Sequence, residues 1–375
     1  MELELSEEQE EFVSTIRRFL AAECPLPATR ELESDAAGFD TSVWARGADL
    51  GWTSLMVPDP DEPEGSSDYG LPYLVLVAEE MGRVVAPGPL VPVNVVAEAV
   101  GRHGSDAQRA AVLPGLIDGS SIAAWCGPEP VTAGLDGDRL VLSGTVGPVE
   151  AGAQASNLLV TVSVEGDDGT RQRGPTQLLV STDTPGVSTT ALGGLDLVRR
   201  FATVTFEGAQ VGTDSVLGDI GGAAGAIERQ GQVACVLQCA ESVGAMDRVF
   251  EMTVEYLGDR YSFGRPLSSY QALKHRVADD KTWLEAAHAI ASAAARAVHD
   301  RSPDAGELVN AAKVWIGPQA TELVQDCIQL HGGIGVTWEH DLHLYLRRVT
   351  VNRASYGTPE HHAEQMATTL LGVAS

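Results

Sequence analysis

Glu255-Tyr-Leu-Gly-Asp-Arg-Tyr-Ser-Phe-Gly-Arg-Pro-Leu-Ser-Ser-Tyr-Gln-Ala-Leu-Lys-His275 is the stretch on which the fold turns. Upstream of it Val236, Ala240, Val243, Phe250, Val254 and Leu257 recur by fours and threes, which places them on the inward side of one helix ending near Gly258. Downstream, Leu273, Val277, Leu284, Ala287, Ala291, Ala294 and Val298 repeat the pattern. Ser268 or Ser269 is expected to cap the first amides of this second helix. Two long helices therefore flank a tight corner in which Gly264 and Pro266 fix the turn. Arg260 and Arg265 bring two guanidinium groups to a helix end and a helix start. Arginine forks match phosphate oxygens, and helix N-terminal amides add to the attraction, so the corner is a place to hold a phosphate.

A chain of 375 residues with 44% apolar content suits two or three packed units. The net charge of -27 would repel nucleic acid and anionic membrane surfaces, which excludes both as expected partners. The sequence lacks an uninterrupted apolar run of ~18 residues, and Met-Glu-Leu-Glu-Leu-Ser-Glu-Glu has no basic start of an export signal. A cytoplasmic protein is the expectation. Cys24, Cys126, Cys235, Cys239 and Cys327 form no CxxC pair and read as buried reduced thiols. His331, His340, His343, His361 and His362 show no spacing with carboxylates that would predict a metal site.

Helices joined by loops are expected up to about residue 118, beginning with a capping box from Ser6 to Gln9. Phe12, Ile16 and Phe19 then follow at helical spacing. Asp59 to Asp68 is loop by composition, Leu74 to Met81 and Val91 to Val100 are buried helices, and Ala107 to Ile117 closes the unit. The texture then changes. Leu140-Val-Leu, Asn157 to Ser163, Gln177 to Ser181 and Phe201 to Phe206 are short strand-like runs separated by turns, with an exposed tip at Glu165 to Gly169. They predict a compact β domain, and no GxGxxG follows a strand to suggest a dinucleotide-binding βαβ unit. Gly221 to Gly225 links into a last helical unit, which holds the helix pair, a helix from Ala305 to Leu330 kinked at Gly317-Pro318, and a final segment from Leu342 to Leu371.

The corner Arg260-Tyr-Ser-Phe263-Gly264-Arg-Pro with Gln271 and Lys274-His275, and the later Gln329-Leu-His-Gly332-Gly333-Ile-Gly335, together resemble the two signatures of flavin-dependent acyl-CoA dehydrogenases. The resemblance covers nearly the whole chain. It implies an α+β multidomain fold: an N-terminal helical domain over 1–118, a middle β-barrel or sandwich domain over 119–220, and a C-terminal four-helix bundle over 221–375 through which subunits pair. It implies FAD, with Arg260, Phe263, Gln271, Gln329, Gly332 and Gly333 holding the adenine and pyrophosphate end for a neighbouring subunit. It also implies an acyl-CoA substrate and an acceptor such as electron-transferring flavoprotein.

Two parts of the family's pattern are absent. In place of a Thr-Glu-Pro-x-x-Gly-Ser-Asp loop and a following Trp-x-Thr stand Cys126 to Gly134, which keeps Glu129-Pro130 and Gly134, and Leu142 to Glu150. Trp125 is out of register and reads as core. The glutamate that most members carry before a Gly-Thr is replaced by Tyr356, and Ala234 occupies the alternative position on the preceding helix. A tyrosine, with a reference pKa of about 10, is a poor base at neutral pH. Glu241, beside the apolar stripe, is the candidate displaced base. The pattern resembles the shorter subunits of heterotetrameric acyl-CoA dehydrogenases of actinobacterial type, which act on bulky thioesters such as steroid side chains. That resemblance implies an α2β2 assembly in which an unlike partner supplies the base and the ring pocket. A self-sufficient homo-oligomer using Glu241 and a flavin-free structural subunit are the alternatives.

Overall fold

A computed structural model describes residues 5–58, 70–165 and 174–372. The loop expected at 59–68 and the tip at 166–169 lie outside the described residues. The chain opens with helices α1 (Glu7–Glu23), α2 (Leu26–Glu31), α3 (Thr41–Ala48), α4 (Leu71–Arg83), α5 (Leu90–His103) and α6 (Asp106–Ile117). The Ser6–Gln9 capping box starts α1, and an equivalent box from Ser105 to Gln108 starts α6. Helices α4 and α5 are buried over most of their length, as their near-continuous apolar sequences require.

Strands β1 (Ala123–Trp125), β2 (Val131–Asp136), β3 (Arg139–Glu150), β4 (Asn157–Glu165), β5 (Thr176–Ser181), β6 (Val187–Leu192), β7 (Phe201–Gly212) and β8 (Val216–Leu217) follow. They form one mixed sheet in the order β6-β7-β3-β2-β4-β5-β8, with β1 added beside β4. The pairs β2–β4 and β1–β4 are parallel and the others antiparallel. Among the described residues the hydrogen-bonded path of strands has β6 and β8 at its ends.

The last unit holds α7 (Ala224–Asp259), the two-residue strands β9 (Tyr261–Ser262) and β10 (Arg265–Pro266), α8 (Gln271–His299), α9 (Ala305–His331), α10 (Leu342–Ala354) and α11 (Pro359–Leu371). Of the stripe expected on α7, Val236, Ala240, Val243 and Leu257 are buried, Phe250 is half-buried and Val254 is exposed. Helix α9 runs through Pro318 as one helix. The serine cap expected on α8 is not formed. Leu267–Ser269 make a 3-10 turn, Ser269 Oγ donates to the Pro266 carbonyl at 2.7 Å, and Tyr270 stands at the cap position without a side-chain bond. Both serines lie in the turn that precedes the helix, and Ser269 stands one residue short of the cap.

Helices α4 and α7 cross with their backbones in contact. A Cβ on Gly82 would lie 2.0 Å from the Glu241 carbonyl oxygen, and one on Gly244 would lie 1.9 Å from that of Glu79. Both positions need glycine, and this crossing seats Glu241 inside the protein between the helical units and the sheet.

Candidate functional site

Two constellations of polar side chains stand out, one open and one closed. The open one is the corner after α7. The Arg260 N–H donates to the Tyr256 carbonyl at 2.9 Å, which ends the helix, and the Leu267 N–H returns to the Arg260 carbonyl at 2.8 Å, which closes the hairpin. Phe263 sits at its tip with φ 51°, a left-handed conformation costly for a residue with a Cβ, and is 96% exposed. The Arg265 guanidinium lies 3.9 Å from the Tyr270 ring centroid and braces the turn. The Arg260 guanidinium has no hydrogen bond or ion pair among the described residues. Gln271 opens α8 beside it, also exposed.

Gln329, Gly332 and Gly333 come to the same end of the helical unit. The Tyr256 hydroxyl donates to the His331 carbonyl at 3.2 Å, so the ends of α7 and α9 meet. Gly332 has φ 64°, and a Cβ on Gly332 or Gly333 would meet nothing within 4 Å. The six residues expected at a phosphate and adenine site are thus all exposed around open backbone, with an unspent cation among them. This half fits the adenine and pyrophosphate end of FAD.

The closed constellation is where α7, α10, the end of β3 and the segment before β7 converge. Glu241, 5% exposed, accepts from Arg199 Nη2 at 2.9 and 2.8 Å, from Arg348 Nη1 at 2.6 Å and from Asn352 Nδ2 at 2.8 Å. Arg348 also pairs with Asp196 at 2.6 Å and donates to the Ala86 carbonyl at 3.1 Å. Arg199 pairs with Glu150 at 3.2 Å and donates to Asn352 Oδ1 at 2.6 Å. Burial works to raise the Glu241 carboxyl, yet Arg199 and Arg348 outweigh it and hold the group below the ordinary glutamate value. Asp196, equally buried, is held well below the carboxylate range by Arg348. Burial pushes Glu150 up in spite of Arg199, which makes it the first carboxyl of the cluster to take a proton as pH falls.

Tyr356 completes this plug. Its φ is 53°, its ring stacks on Trp125 at 5.7 Å between centroids, and its hydroxyl donates to Glu150 Oε2 at 3.1 Å. Burial and then Glu150 raise its phenol well above the usual tyrosine value. The loop is pinned from behind by buried Lys313, whose Nζ donates to Gln238 Oε1 at 3.1 Å and to the carbonyls of Asn352 and Ser355, each at 2.7 Å. Trp125 is core, as its register suggests. Arg199, Arg348, Asp196 and Asn352 were not singled out in the sequence. Their signal, a few charged or amide residues inside otherwise apolar segments, is visible only once their partners 42 to 153 residues away are known.

A separate cleft of about 650 Å³ opens where the end of α5, β8, the start of α7 and the link from α8 to α9 meet. Two of its arginines, Arg102 and Arg229, pair with the same buried Glu98 at 2.8 and 2.7 Å. All five cysteines are reduced and buried. The described residues contain no group of His, Cys, Asp and Glu able to hold a metal ion, and no helix long and apolar enough to cross a membrane.

Residues 226–371 match the acyl-CoA dehydrogenase C-terminal domain and residues 6–120 the acyl-CoA dehydrogenase N-terminal domain, and the chain belongs to the acyl-CoA dehydrogenase family. Its members are FAD-dependent oxidoreductases. Among particular relatives, acyl-CoA dehydrogenase IpdE2 of Mycobacterium tuberculosis is 30% identical over 344 residues, covering 91% of each chain. A solved variant of the Tcur3481-Tcur3483 steroid ACAD superposes with TM-score 0.84 at 28% identity, covering 98% of this chain and 99% of that one. The ChsE4-ChsE5 complex from Mycobacterium tuberculosis shares the fold, with TM-score 0.86 at 24% identity over 100% of both chains.

Proposed function

We propose that this chain is the non-catalytic subunit of an unlike pair that dehydrogenates a bulky acyl-CoA thioester, of the steroid side-chain kind, at the α and β carbons. The observation that carries the reading is the contrast between the two constellations. The corner around Arg260, Phe263, Gln271, Gln329, Gly332 and Gly333 is exposed and unspent, whereas the Tyr356 slot and the end of the Leu142–Glu150 stretch are joined in a self-satisfied network. The first can hold the adenine and pyrophosphate end of FAD. The second offers no base and no ring pocket. When bound, FAD would accept the β hydride, and removal of the α proton falls to a group of the partner.

Glu241 is a poor base on two counts. Its oxygens already accept four hydrogen bonds, and Arg199 and Arg348 favour its ionised form, which makes it a weaker base than an ordinary glutamate. This argues against the self-sufficient homo-oligomer. The unspent Arg260 argues against a flavin-free scaffold. Support for a heteromer and for a steroid substrate comes from the Tcur3481-Tcur3483 steroid ACAD, whose name joins two proteins. Electron-transferring flavoprotein is the proposed acceptor.

The deciding experiment measures bound flavin and CoA-thioester turnover for the purified chain, alone and after coexpression with a second acyl-CoA dehydrogenase subunit. Flavin and turnover only in the coexpressed complex are expected. A flavin-loaded, active chain by itself would overturn the reading.

A further inference from the structure

The two halves of the open corner come from helix ends 72 residues apart, so something must hold them in register. One residue makes both connections, the first through its backbone and the second through its side chain. The Tyr256 carbonyl accepts from the Arg260 N–H at 2.9 Å, which places the arginine, while the Tyr256 hydroxyl reaches the His331 carbonyl at 3.2 Å, immediately before Gly332-Gly333. The Tyr256 and His331 rings also stack, 4.4 Å between centroids and 20° between planes. His331 cannot turn away. Its Nδ1 bonds the Cys327 carbonyl at 2.8 Å, and His340 packs edge-on against it at 4.9 Å between centroids.

We infer that Tyr256 is a positioning residue that fixes the distance between Arg260 and the Gly332-Gly333 turn, and so sets the affinity for the adenosine-pyrophosphate end of FAD. The inference rests on the flavin half-site reading above. Tyr256 touches no part of the chemistry, so its effect is confined to cofactor affinity. A pyrophosphate bridging two rigid segments is held well only if both present their donors at the correct separation, because misalignment weakens charge-assisted bonds steeply. The tyrosine supplies that spacing through one hydrogen bond and one stacked pair, both between α7 and α9.

The test uses the coexpressed complex, with the Kd for FAD measured by fluorescence on the flavin-stripped protein and kcat measured at saturating FAD. Tyr256→Phe keeps the stack and removes only the hydroxyl. It is expected to raise the Kd for FAD about 3- to 10-fold, the range for one hydrogen bond, with kcat unchanged. Tyr256→Leu removes both contacts and is expected to raise it further, and Tyr256→Phe guards against a leucine variant that misfolds. Arg260→Ala separates the two levels of argument. If Arg260→Ala retains FAD normally, the half-site reading itself is wrong. If Arg260→Ala loses FAD but Tyr256→Phe binds it like wild type, or loses kcat at full occupancy, the positioning role of Tyr256 is wrong and the half-site stands.

Discussion

Glu241→Gln separates a structural carboxylate from a catalytic one. The substitution keeps side-chain size and removes one charge from a site that is 5% exposed. Arg199 and Arg348 then lose a shared counter-ion, although Asp196 and Glu150 still face them. Removing one partner from a buried ion cluster costs about 3–5 kcal/mol, and the amide can replace only part of the lost acceptance. A loss of that size should lower the Tm by at least about 5 °C. The sign with pH follows from the lowered carboxyl. Its folded pKa lies below the unfolded value of about 4.3, so its contribution is complete at neutral pH and disappears as pH falls through the folded pKa. The wild type and the variant should therefore differ fully at pH 7, begin to approach each other in stability only below about pH 4.3, and converge only below the folded pKa. Turnover by the flavin-loaded complex, measured well below the transition, should stay within a few fold of wild type. A fall of at least about 10²-fold at constant flavin content would identify Glu241 as the base and refute the paired-subunit reasoning. An unchanged Tm would refute the account of the cluster.

Arg260→Ala should weaken FAD retention about 10- to 100-fold, since a guanidinium–phosphate contact contributes about 1.5–3 kcal/mol, and equilibrium dialysis of the complex measures it. Asp280, 1% exposed on α8 with neither carboxylate oxygen hydrogen-bonded, is pushed up to about 6 by burial. Stability should therefore fall as pH rises through about 6, and Asp280→Asn should gain about 2–3 kcal/mol at pH 8 and little at pH 4, read from denaturant melts at the two pH values. Gly244→Ala should cost about 3 kcal/mol or more, because its Cβ would fall 1.9 Å from the Glu79 carbonyl oxygen and the α4–α7 crossing would have to open. Circular dichroism melts of the full chain check this, and an unaltered Tm would contradict the crossing geometry.

Read alone, the sequence determined what depends on neighbours along the chain. The α7 and α8 stripes, the Ser6–Gln9 box, the strands around Leu140, Asn157, Gln177 and Phe201 and the α-β-α order follow from periodicity, capping and turn residues, all of which act within a few positions. The corner from Arg260 to Gln271 was legible for the same reason, being one short hairpin between two helices. The sequence also marked what was missing, through Tyr356 and the Cys126–Gly134 and Leu142–Glu150 stretches. Only the tertiary structure decided what Glu241 faces. Its partners Arg199, Arg348 and Asn352 lie 42, 107 and 111 residues away, and no local pattern couples them. The same holds for Glu150 against Tyr356, 206 residues apart, and for the helix crossing at Gly82 and Gly244, where two glycines matter only because each backbone meets the other. The serine expected to accept from the first amides of α8 instead donates to a carbonyl of the turn before it, a choice that propensity alone does not make. A charge on an apolar helix announces that a partner is needed. Which partner it finds is set by long-range packing, and here that packing sets the candidate base Glu241 between Arg199 and Arg348.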